Sequence, residues 1–178
     1  PKIHADEMSW LGGAELAAEV GAVSAEHLLY ASDEGIRMLA ESEVIAVLLP
    51  AASFSLMLGR YADARKMINE GVAVALGTDF NPVCWVENMQ FVIAFACRMM
   101  RLSPAEALAA ATINAAHSIA RASLVGSLEV GKKADIAVFN VPNHRFLAYR
   151  FGVNLVDKVV KNGRLVVDSG RIILGEPY

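Results

Sequence analysis

Four side chains in this sequence could do chemistry together: His4, Glu7, His27 and Asp79. Imidazoles and carboxylates are the donors that a catalytic Zn²⁺ or Fe²⁺ takes, and such a site keeps one position open for water. A carboxylate and a histidine outside the coordination shell can then move protons and polarise a scissile carbonyl. Taken singly the signals are weak. A lone histidine is more often a core or loop residue than a ligand. Asp79 could simply cap the segment Phe80 to Pro82, although an acid directly after a buried strand must be paired, capping or binding.

Placement is what joins them. Apolar runs end at Ile3, around Leu28 and Leu29, at Leu49 and at Leu76. Val44 to Leu49 and Val72 to Leu76 are continuously apolar, the pattern of strands buried on both faces. Three of the four side chains therefore fall at or just after the C-terminal end of a predicted strand, with Glu7 three residues beyond His4. In a (β/α)8 barrel that rim carries the catalytic groups, because the strand ends converge there and the loops vary freely.

The intervening stretches have helical spacing. Leu16 and Val20 sit four apart, while Ile36, Leu39 and Ala40, and again Ala64, Met67 and Ile68, form i, i+3, i+4 sets. Gly71 falls where a helix C-cap is expected. Strands alternating with helices predict parallel α/β architecture. Glu87 to Arg101 is apolar on nearly every side, and Ser103-Pro104-Ala105-Glu106 is a capping box that opens a helix over Pro104 to Ala120. After Arg121 the texture changes. Short strands such as Ile136 to Phe139 are punctuated by Gly126, Gly131, Pro142 and Gly152. Val159 to Val167 (VVKNGRLVV) predicts a hairpin turning at Asn162-Gly163. The chain divides on this reading into an α/β part, 1–121, and a small β unit, 122–178.

Composition bounds the function. An apolar content of 55% and a mean hydropathy of +0.41 are high for a soluble domain, yet no run approaches the roughly 20 apolar residues of a membrane helix. Scattered Lys and Arg with a net charge of −3 give no basic stripe for nucleic acid. The two cysteines, Cys84 and Cys97, make no disulfide framework and favour a reducing cytoplasm. Cys97 reads as a small hydrophobe, and Cys84 has no neighbouring base in sequence to make it a nucleophile. Gly12-Gly13 is too short a signal for a phosphate loop. His117 reads as structural or exposed and His144 as solvated.

Three segments resemble hallmarks of the metal-dependent amidohydrolases: Lys2 to Glu7 (KIHADE), Gly71 to Pro82 (GVAVALGTDFNP) and Gly126 to Phe139 (GSLEVGKKADIAVF). Within that superfamily the ADE after His4, the asparagine of TDFNP, the run ARKMINEG and Tyr149 to Asn154 (YRFGVN) are similar to the imidazolonepropionase family. The resemblance implies the C-terminal half of a TIM-like (β/α)8 barrel followed by part of a β-sandwich. It also implies one Zn or Fe ion held by His4 and Asp79. Asp79 would take and return protons, and Glu7 would contact the substrate ring and could activate water. His27 would orient the attacked carbonyl, with Asn81, Val83 and Cys84 lining the substrate. The implied reaction opens the ring of 4-imidazolone-5-propanoate to N-formimidoyl-L-glutamate, with a small molecule as the partner and a homodimer as the assembly.

The match has departures. Val83 and Cys84 stand where relatives usually have a small residue and a Ser or Thr, and Leu155 stands where many have His. No His-x-His pair occurs among His4, His27, His117 and His144, and the family's substrate-carboxylate Arg and Tyr are missing too. His4 follows almost at once on Pro1, so upstream sequence is expected, and negligible activity with weak metal affinity is expected of these residues alone. Two other readings stay open: another amidohydrolase such as a deaminase or a dihydropyrimidinase-like enzyme, and a non-catalytic fragment that associates with itself through unpaired strand edges.

Overall fold

The apolar runs of the first half become strands, and all of them run the same way. The computed structural model describes residues 1–173, so the last five residues of the expected β unit lie outside the described region. Strands β1 (Lys2–Ala5), β2 (Ser24–His27), β3 (Ile45–Leu48) and β4 (Val74–Leu76) form one parallel sheet in that order. Helices α1 (Gly13–Glu19), α2 (Asp33–Glu41), and the pair α3 (Pro50–Ser55) and α4 (Ala64–Asn69) make the crossovers. Every residue of β2, β3 and β4 is buried, as continuously apolar β3 and β4 require.

Strand β2 is the exception in composition. It ends at His27 and not at Leu28 or Leu29, and it carries buried Ser24 and Glu26. Its polar groups are satisfied across the β1–β2 pair. Lys2 Nζ lies 2.9 Å from Glu26 Oε1 and donates to Ser24 Oγ at 2.6 Å and to Ser118 O at 3.0 Å. Apolar periodicity could not mark a strand whose burial is secured by an ion pair.

The helix α1 also corrects the expectation. Leu16 and Val20 are exposed, and the buried stripe is Ala14, Ala17 and Ala18. Small residues are needed there because α1 meets both the sheet and α2 closely. A Cβ on Gly35 of α2 would come within 2.8 Å of Ala14 Cβ and 3.0 Å of Glu15 Cδ.

Helix α5 (Met89–Met99) starts two residues later than its apolar run, where the Asn88 side chain accepts the N–H groups of Gln90 and Phe91. It buries Val92, Ile93 and Ala96, and stacks half-buried Phe91 and Phe95 with exposed Phe54. The capping box at Ser103 forms as read. The single helix expected over Pro104 to Ala120 is instead two, α6 (Pro104–Ala111) and α7 (Ile113–Ser118). Thr112 breaks it: its hydroxyl donates to Leu108 O at 2.7 Å, its own N–H bonds Ala109 O, and its backbone leaves the helical region at ψ −90.

The remainder is an antiparallel sheet of β5 (Ile136–Phe139), β6 (Val156–Lys161), β7 (Arg164–Asp168) and β8 (Arg171–Ile172), with α8 (Arg145–Tyr149) between β5 and β6. Asn162 and Gly163 both have positive φ, 51 and 79, the type I′ geometry that suits a two-residue hairpin. This unit is tied to α5. Gln90 bonds Asn154 at 3.1 Å and Leu155 N at 2.9 Å, and Arg98 donates to Ala148 O and covers the Phe151 ring.

Two predictions follow from this packing. Gly35→Ala should destabilise the chain by about 1–3 kcal/mol in denaturant titration, through overpacking against α1. Arg65 clasps Glu106 through two bonds of 2.9 and 2.7 Å and holds its pKa at about 2, below the ordinary 4.5. The stability this pair contributes is complete above pH 4.5 and is lost as pH falls toward 2. In thermal melts, Glu106→Gln should flatten the pH dependence in that window.

Candidate active site

Register decides which side chains reach the sheet's C-terminal rim. His4 lies opposite Glu26, and Ala5 lies opposite His27. Lys2, His4 and Glu26 face an open cleft of about 470 Å³, whose other lining includes Asp79 and, from the end of α7, Ser118 and the following Ile119. Strand alternation would turn His27, the next residue after Glu26, toward the helices. It is turned back by a left-handed backbone, with φ 71 at His27 and 61 at Leu28.

The result is a contact among three of the four expected residues. His27 Nε2 lies 2.9 Å from His4 Nδ1, and His27 Nδ1 lies 3.5 Å from Glu7 Oε1. The His27 side chain is 3% exposed, whereas Glu7 is 29% exposed and reaches solvent. Burial lowers the His27 pKa below 6.5, against the opposing pull of Glu7 and then Asp79. Burial thus biases the ring toward its neutral form.

Asp79 follows β4 by three residues, at φ 53. No helix starts at Phe80 to Pro82, so the capping alternative is not realised, and the next helix, α5, is capped by Asn88. Asp79 instead faces the same cleft as His4. Among the described residues no three His, Cys, Asp or Glu side chains gather to hold a metal. His4 and Asp79 offer two donors to one space, half of a four-ligand set.

The loop after Asp79 is shaped by Asn81. Its Nδ2 donates to Asp79 O at 2.8 Å, and its Oδ1 accepts from Val83 N at 2.9 Å and Cys84 N at 3.1 Å. One Nδ2–H remains for anything else. Val83 is exposed, but its carbonyl takes the Ser55 hydroxyl at 2.7 Å, leaving only its side chain to line a site. Cys84 is 1% exposed and points inward, its Sγ 3.6 Å from Thr78 O. Burial, then the charge of Asp79, raises its pKa. His117 and His144 are exposed, and Cys97 is half-buried. Leu155, in place of a histidine, is core.

Sequence reading passed over Asp6. Its buried carboxylate accepts N–H groups from Leu11 at 2.8 Å, Gly13 at 3.1 Å and Ala14 at 2.9 Å. An acid shortly before a glycine pair that opens a helix was the available signal.

The Amidohydrolase family matches residues 2–166, a span that contains His4, Glu7, His27 and Asp79. The chain belongs to that family. It is 60% identical over 173 residues to the imidazolonepropionase of Geobacillus sp. (strain WCH70), and 54% identical over 173 residues to that of Alkaliphilus metalliredigens (strain QYMF). Each alignment covers 97% of this chain and 41% of the relative, so the chain spans about two fifths of the relatives' length. Among solved structures, a zinc-bound adenosine deaminase from Xanthomonas campestris superposes with a TM-score of 0.87. It is 21% identical, and the match covers 98% of this chain and 47% of that one, a likeness of fold. No helix among the described residues is long and apolar enough to cross a membrane.

A thiol titration tests the placement of Cys84. Native protein should leave Cys84 unlabelled by an aromatic disulfide reagent, and labelling should appear only with denaturant.

Proposed function

We propose that the chain forms the later strand–helix units of a (β/α)8 amidohydrolase barrel, residues 1–121, and part of a β-sandwich, residues 122–178. In the complete protein these would hydrolyse 4-imidazolone-5-propanoate to N-formimidoyl-L-glutamate. The observation that carries the reading is the contact of His27 with both His4 and Glu7, with His4 lining the cleft that Asp79 also faces. Identity of 54–60% to imidazolonepropionases, against 21% to the deaminase, favours that ring over a purine.

His4 and Asp79 are the residues that would hold a divalent ion, zinc by analogy with the zinc-bound neighbour or iron, with the missing donors coming from elsewhere in the protein. Bound there, the ion would supply Lewis-acid polarisation and an acidified water. One tautomer chain suits the ligand role of His4. His4 Nδ1–H donating to His27 Nε2, with His27 Nδ1 3.5 Å from Glu7, would free His4 Nε2 as a donor. Neutral His27 then orients the carbonyl under attack, and Glu7 contacts the ring and orients water. Asp79 takes a proton during attack and returns it to the departing nitrogen, leaving the C–N bond open. Asn81 would meet the substrate through its remaining N–H. Val83 and buried Cys84 form the wall and its backing.

A cytoplasmic homodimer is proposed as the working form, consistent with exposed Tyr149 and Phe151 beside α5.

The test is turnover by the zinc-loaded protein with its remaining barrel strands. It should open imidazolonepropanoate and leave guanine, adenosine and dihydropyrimidines untouched. Asp79→Asn should lower kcat by about 10²- to 10⁴-fold. Turnover of a purine or pyrimidine, with none of the imidazolone, would overturn the assignment.

A further inference from the structure

Glu7 sits on the loop from Asp6 to Gly12, which has no regular structure of its own, yet it must meet His27 to within a few tenths of an ångström. We infer that Asp6 is the positioning residue that sets this meeting, so that the rate of the reaction depends on a carboxylate that never touches substrate. The inference rests on the reading of Glu7 and His27 as substrate-handling groups.

The geometry is specific. Asp6 is buried, and its two oxygens gather the N–H groups of Leu11, Gly13 and Ala14, which bends the loop back onto the start of α1. Its own carbonyl accepts Tyr30 N at 2.9 Å, and the preceding carbonyl, of Ala5, accepts Leu28 N at 3.0 Å. One residue thus joins the loop that carries Glu7 to the loop that leaves His27. The backbone is left-handed at Asp6, φ 48, which turns the following residue off the line of β1 and toward the rim. Gly13 suits the close approach, since a Cβ there would stand 3.0 Å from Ala5. The far end of the loop is held separately: Trp10 Nε1 donates to Glu15 Oε1 at 3.3 Å, and Ser32 Oγ donates to the same oxygen at 2.5 Å. With both ends fixed, Glu7 lies within a clipped loop, one residue from Asp6.

Asparagine at this position keeps the size but replaces one acceptor with a donor facing an N–H, so at least one of the three bonds must break. Asp6→Asn in the complete zinc-loaded protein should lower kcat by about 10²-fold, the scale of an ångström's misplacement, with KM changed far less. Ser103→Ala removes a cap far from the rim and should cost stability while kcat stays unchanged. Hydrogen exchange supplies a readout independent of turnover: residues 7–14 should exchange at least about tenfold faster in Asp6→Asn and at the wild-type rate in Ser103→Ala. The inference is overturned if Asp6→Asn keeps kcat within about twofold of wild type, or if Ser103→Ala lowers kcat as much, which would reduce Asp6 to general stability. Wild-type protein that ignores the imidazolone would sink the proposed reaction instead. The exchange of residues 7–14 would then still decide whether Asp6 holds the loop.

Discussion

The site depends on one contact, the 2.9 Å approach of the His4 and His27 rings across the first pair of parallel strands. Side chains on adjacent parallel strands share a face only when their positions match, and here the register sets His27 beside Ala5, one step out of phase with His4. The left-handed turn at His27 and Leu28 corrects the phase. Two non-glycine residues in succession at positive φ are strained, at about 1–2 kcal/mol each, and Asp6 and Asp79 share that conformation. Strain of this kind persists where its surroundings fix it. Here those surroundings are a sheet buried on both faces and the hydrogen bonds of the rim loops.

Those loops are held by side chains spending their polar atoms on backbone. Asp6 does so after β1 and Asn81 after β4, each accepting N–H groups from residues two to eight positions on. The consequence is a division of labour along each loop. One residue shapes the turn, and a carboxylate close to it in sequence is presented beside it: Glu7 against His27, and Asp79 to the cleft. The same logic explains why Cys84 is buried: the turn that presents Asp79 drives the thiol into the core.

Away from the rim, the structure treats charge differently. Lys2, Ser24 and Glu26 sit along the same cleft-facing side of β1 and β2 and satisfy one another there, reaching Ser118 of α7. A buried acid is kept in place by its partner, and no free donor is left over. The two sheets are joined through α5, whose Gln90 and Arg98 bind the segment Tyr149 to Leu155. The YRFGVN signature is therefore at the junction of the two sheets.

Much of this was legible in the chain itself. Strands β3 and β4 announced themselves because burial on both faces demands unbroken apolar residues. The Asn162-Gly163 hairpin and the Ser103 capping box did so because their chemistry is local. His4, Glu7, His27 and Asp79 could be picked out by type and by nearness to strand ends. Less local facts stayed hidden. The polar strand β2, the alanine stripe of α1 and the break at Thr112 each depend on partners distant in sequence or on a competition between two hydrogen bonds. Periodicity records neither. The backbone sign at His27 and the grip of Asp6 were likewise decided only in three dimensions, because a residue's type fixes what it can bond, whereas the packing around it fixes which way it must point.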